Sequence, residues 1–205
     1  MSRSAHFAPL FAALFALSAC AGSPMEACET MESSTSFGIT VNALMTHVTM
    51  DDEGSMMTDA EYADCVDFTV TTPSRDWELN GVTPSAFDVA PGDYIVELSW
   101  QDNGVDYLSD PVLIEHGLEP ETVTLALCPD MTGDWRCVDG DEEWAMALES
   151  VGCGVEMWPM DEPAEVRGHF IESEHFQGQI GPNARELMLL DRAAPEAMIS
   201  CSREQ

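Results

Sequence analysis

The sequence predicts an all-β protein, on three observations. Apolar residues alternate with polar ones in short runs, which puts one set of side chains on one face of a sheet. Pro and Gly fall between those runs, in Thr83-Pro84, Pro91-Gly92 and Asn103-Gly104, where they serve turns rather than helix interiors. After the amino-terminal apolar run, no stretch of about twelve residues keeps a helical period.

The strands follow in order. Phe37, Ile39 and Val41 alternate with Gly38 and Thr40. Residues 44–64 are the least patterned, and Thr58-Asp59-Ala60-Glu61-Tyr62 reads there as one helical turn. Val66, Phe68 and Val70 then alternate with Asp67 and Thr69. Tyr94, Val96, Leu98 and Trp100 form the longest such run, and Val123, Leu125 and Leu127 the next. Residues 129–132 mark a boundary. Gly133-Asp134-Trp135 opens a second series of short strands at 135–138, 143–149, 154–158, 166–171, 176–180, 186–190 and 197–201. Gly152, Gly168, Gly178 and Gly181 punctuate it.

Charge excludes several functions. The 205 residues carry 7 basic and 38 acidic side chains, a formal net charge of −31. All seven basic residues are arginine. Without lysine there is no phosphate-loop Gly-Lys pair, no Ser-x-x-Lys nucleophile and no Schiff-base or pyridoxal-phosphate anchor. The charge also argues against a nucleic-acid partner, because such binding rests on Lys and Arg neutralising phosphates. Such an excess of carboxylates suits high salt, so stability is expected to rise with ionic strength.

The amino terminus reads as an export signal. Residues 1–6 carry Arg3 and no acid, residues 7–17 are an apolar run of 11, and Ser18, Ala19 and Cys20 follow. Eleven helical residues rise about 16 Å, roughly half of a bilayer core. A basic start, a short apolar run and small residues before a break define a secretory signal. The tetrapeptide Leu17-Ser18-Ala19-Cys20 resembles the lipobox of bacterial lipoproteins. That resemblance implies cleavage before Cys20, diacylglyceryl on its thiol and acylation of its new amine. Two or three acyl chains give stable membrane anchoring. Ala21 after the cysteine implies the outer membrane of a Gram-negative envelope. Residues 21–36 are small, polar and acidic. They read as a flexible linker reaching about 50 Å when extended.

Six cysteines remain after Cys20: Cys28, Cys65, Cys128, Cys137, Cys153 and Cys201. An even number in an exported chain predicts three disulfides, and sequence alone leaves their connectivity open. No pair has Cys-x-x-Cys spacing, which argues against thioredoxin-like chemistry and a zinc ribbon. Three lie at 28–128 and three at 137–201, so if all six pair, at least one bridge joins the two segments.

Residues 79–84, 89–98, 112–117 and 123–127, with Pro91-Gly92-Asp93-Tyr94-Ile95-Val96-Glu97-Leu98 at their centre, resemble PEGA and carboxypeptidase regulatory-like domains. That implies an immunoglobulin- or transthyretin-like β-sandwich without catalytic residues, in which the tyrosine ring covers the Pro-Gly turn. Gly133-Asp134-Trp135, Gly152-Cys153 and Gly178–Gly181 resemble the small lipocalin-like β-barrels of bacterial lipoproteins. A barrel of this length has a small core and needs staples. If its first and last strands close side by side, Cys137 and Cys201 meet there. The expected organisation is therefore signal peptide 1–19, lipidated tether 20–36, β-sandwich 37–130, and antiparallel barrel or meander 131–205.

Candidate chemistry is sparse. Asp51, Asp52, Glu53, Asp59, Glu61 and Asp64 cluster as calcium ligands would, but without EF-hand spacing. A chain this acidic also makes such runs as solvated loops. Met45, His47, Met50, Met56 and Met57 suit Cu(I), or they fill a core. His169 and His175, with Glu172 or Glu174, could hold a metal if a hairpin folds them together. Trp77, Trp100, Trp135, Trp144 and Trp158 include possible sugar-stacking surfaces, although tryptophan is mostly buried. No Gly-x-Ser-x-Gly elbow occurs. The expectation is a non-catalytic structural or binding module of the cell envelope, needing no cofactor, with metal handling by residues 45–64 as the alternative. Its protein or glycan partner is not legible.

Overall fold

The structure, a computed structural model, describes residues 38–50 and 56–204. These form seventeen strands, with no helix among the described residues. The protein is all-β. The signal, Cys20, the tether with Cys28, and Asp51-Asp52-Glu53 lie outside the described residues.

The first nine strands form one sheet. They are β1 (Ile39–Met50), β2 (Met56–Ala63), β3 (Asp67–Thr71), β4 (Glu78–Val82), β5 (Ser85–Phe87), β6 (Gly92–Asp102), β7 (Val105–Leu108), β8 (Val112–His116) and β9 (Glu121–Pro129). The order is β2-β1-β9-β7-β6-β3-β4, with β5 on β1 and β8 on β6. The layers of the expected sandwich are joined along one edge, where Tyr107 pairs with Pro129 and Leu108 with Cys128. The sheet is therefore continuous, curled and mixed, since β1 and β9 run parallel. Its inner face carries the alternating residues. Ile39, Val41, Val66, Phe68, Val70, Tyr94, Val96, Leu98, Val123, Leu125 and Leu127 are all buried. Phe68 stacks on Phe87 at 5.5 Å across the curl. Tyr94 donates its hydroxyl to the Ala90 carbonyl at 2.7 Å, laying its ring over the Pro91-Gly92 turn, and Trp77 packs edge-on against it.

Two local expectations are corrected. Thr58–Tyr62 is not a helical turn but the middle of β2, paired antiparallel with β1 from Ala43↔Ala63 to Met50↔Met56. Described β2 side chains from Met57 to Tyr62 are exposed, so the strand lacks the apolar alternation that announces a half-buried one.

The other eight strands close a barrel. They are β10 (Gly133–Asp139), β11 (Glu142–Val151), β12 (Gly154–Trp158), β13 (Glu162–Arg167), β14 (Phe170–Ser173), β15 (Phe176–Ile180), β16 (Glu186–Asp191) and β17 (Ala194–Arg203). The single strand expected at 166–171 is a hairpin, with Val166↔Ile171 and Arg167↔Phe170 flanking Gly168-His169. Gly168 has φ +59°, a left-handed conformation that glycine adopts without steric penalty. Side chains fill the interior: Trp135, Met146, Leu148, Val155, Met157, Val166, Leu187 and Leu189 are almost wholly buried. Each contributes about 1.5–3 kcal/mol by leaving water. The seam is β10 against β17, and there Cys137 faces Cys201 and is bonded to it.

Candidate functional site

Asp110, Asp130, Ser150 and Arg203 all make hydrogen bonds where the sheet meets the barrel. A second disulfide, Cys128–Cys153, crosses this junction from β9 to the turn after β11. It is a bridge of the kind the cysteine parity requires. Cys65 is also disulfide-bonded. The Asp110 carboxylate accepts from the Cys153 backbone N–H at 3.0 Å.

Two barrel turns dock through glycines. A Cβ on Gly152 (φ +60°) would lie 2.3 Å from Asp110 Oδ1, and one on Gly168 would lie 1.9 Å from the Thr46 carbonyl oxygen. No side chain fits at either contact. The connection between the units, residues 130–132, is tied at every backbone polar group. The Asp130 N–H donates to Asp106 O at 2.7 Å, and Met131 N–H donates to Ser150 Oγ at 2.9 Å. Thr132 N–H donates to Asp130 Oδ1. Arg203, from the last strand, reaches back to donate to the carbonyls of Asp130 and Thr132, while Trp135 Nε1 donates to that of Met131. Met131 is wholly buried, where backbone groups need such partners, and these bonds tie the boundary between sheet and barrel to both units.

The histidines divide. On the β1–β2 hairpin, Met45, His47, Met57, Asp59 and Glu61 share one face by register, and His47 Nε2 lies 3.1 Å from Glu61 Oε1. His169 stands near His47. Burial, then the adjacent His47, holds its imidazole below the usual histidine range, with backbone hydrogen bonds at Ile180 and Gly181 opposing in part. His175 is not with His169: it lies 3.2 Å from Glu162, and Glu172 pairs with Arg192. His116 is fully buried, with Glu121 Oε2 3.7 Å from its Nδ1. Among the described residues, no three His, Cys, Asp or Glu side chains are placed to hold a metal ion.

Of the tryptophans, Trp135 is core, Trp100 and Trp144 are half-buried, and Trp77 and Trp158 are exposed. Trp158 lines a shallow recess with Glu156, Asp161 and Glu162 at one side of the barrel. Sequence reasoning passed over Arg203 and Arg185. The signal available was the scarcity of arginine in so acidic a chain. No family model matches this chain, nor does any curated protein or solved structure.

Proposed function

We propose that the protein is a lipid-anchored, non-catalytic binding module of the bacterial cell envelope, exported by its signal and held by acylated Cys20. The observation that carries this reading is that all five described cysteines are disulfide-bonded. Disulfides persist in oxidising compartments and are rare in the cytosol. On this reading Cys28 is the partner of Cys65, and Cys20 is left for the lipid.

The fold supports display. The tether joins the described chain at Gly38, one residue before β1, whereas β1 touches the barrel at Thr46. Eight residue steps at about 3.3 Å separate these points by roughly 26 Å. The sheet then stands between anchor and barrel.

Metabolic labelling with palmitate tests the reading. Wild-type protein is expected to incorporate label and to partition with membranes. Cys20→Ser is expected to lose both while keeping its disulfides. Unlabelled wild-type protein in the soluble fraction would defeat the proposal.

A further inference from the structure

The joint between sheet and barrel holds a pocket of about 240 Å³, lined by Gly104–Asp106 and Asp130 on one side and by Asn183, Arg185, Arg203 and Glu204 on the other. At roughly 30 Å³ per water-sized group, it has room for about eight non-hydrogen atoms.

Its donors and acceptors are unequally engaged. Of the described arginines, Arg136, Arg167 and Arg192 pair with carboxylates. Arg75, Arg185 and Arg203 have no carboxylate partner among the described residues, although the chain carries 38 acids, and two of these three, Arg185 and Arg203, line this one pocket. Arg203 donates to two carbonyls, leaving three of a guanidinium's five N–H groups. Asn183 accepts at Oδ1 from the Arg185 backbone N–H, which leaves its amide donors. The carboxylates of the lining each already accept: Asp106 from Gln101, Asp130 from Thr132, and Glu204 from Arg136. Their other oxygens keep lone pairs.

Such a lining calls for a carboxylate against Arg185 and Arg203, where a planar guanidinium offers paired donors. A bare anion, however, must approach a molecule of net charge −31, whose field repels it. A zwitterion brings the same carboxylate at no net charge, and its ammonium suits the free oxygens of Asp106, Asp130 and Glu204. We propose that this pocket binds a small zwitterion of the α-amino-acid class. The proposal does not depend on lipid anchoring.

Titration of the full mature protein by NMR, at low salt, tests it. The probes are alanine, N-acetylalanine (no ammonium) and alaninamide (no carboxylate). Alanine is expected to shift the amides of Gly104, Asn183 and Arg185 saturably in the millimolar range. The other two are expected to bind about tenfold more weakly. Arg185→Gln, an exposed position, is expected to weaken alanine about tenfold with unchanged thermal stability. Three results would each overturn the proposal: no saturable shift below about 100 mM alanine, alaninamide or N-acetylalanine binding as tightly as alanine, or alanine affinity unaltered in Arg185→Gln.

Discussion

Gly168 and Gly140 share a left-handed backbone, φ +59° and φ +60°, but differ in surroundings. Gly168 abuts the Thr46 carbonyl, whereas nothing lies within 4 Å of a Cβ at Gly140. Gly140→Ala therefore meets only the conformational cost, about 1 kcal/mol. Gly168→Ala adds a backbone clash that only undocking relieves, and its unfolding free energy in urea is expected to fall at least about 2 kcal/mol below wild type. Equal losses would mean that the contact with β1 contributes nothing. Thr83 is the other residue on which much rests. It is wholly buried, donates from Oγ1 to the Ala63 carbonyl at 3.0 Å and accepts there from Val66 N–H at 3.3 Å. Thr83→Val keeps the shape and orphans both partners, at an expected cost of about 1–3 kcal/mol in the same melts.

The seam and the turns of the barrel decide matters at the next scale. Cys137–Cys201 closes a 64-residue span, and its removal in Cys137→Ser/Cys201→Ser is expected to lower stability by about 2–4 kcal/mol. Glu162, on β13, anchors the turn between β14 and β15. Burial pushes its carboxyl up, but the backbone N–H of His175, the Ser173 hydroxyl and the His175 ring outweigh that, and its pKa is held below the usual value. A depressed carboxylate contributes stability above its unfolded pKa and loses it as pH falls through the folded one. Acid melts below about pH 5 are expected to show this loss, and Glu162→Gln to flatten it. Alternation made the inner faces of β3, β6 and β9 legible, because Phe68, Val70, Tyr94, Val96 and Val123 need only their neighbours to declare a face. The outer half of β1 with β2 was illegible, since exposed residues such as Met57 and Tyr62 leave no periodic trace. The β13–β14 hairpin hid for the opposite reason: Val166 and Ile171 are both apolar, and a two-residue turn between them reads as one run. The parallel pairing of β1 with β9 joins residues about eighty apart, and no local pattern encodes that. Arg185 and Arg203 meet at the joint only because β16 and β17 fold back to the linker, so their pocket was equally beyond the sequence.

At the scale of the molecule, charge dominates. With 38 carboxylates against 7 arginines, self-repulsion opposes the compact state and salt screens it. The thermal midpoint is expected to rise from low salt to molar sodium chloride, and an unchanged midpoint would contradict this. The central claim is a lipid on Cys20 with the remaining six cysteines bonded. The most direct measurement is the intact mass of unreduced protein extracted from its native membrane, before and after thiol alkylation. The account predicts a mass that lacks residues 1–19, carries acyl chains and takes up no alkyl group. An unacylated mass, or alkylation of any thiol without reduction, would contradict it.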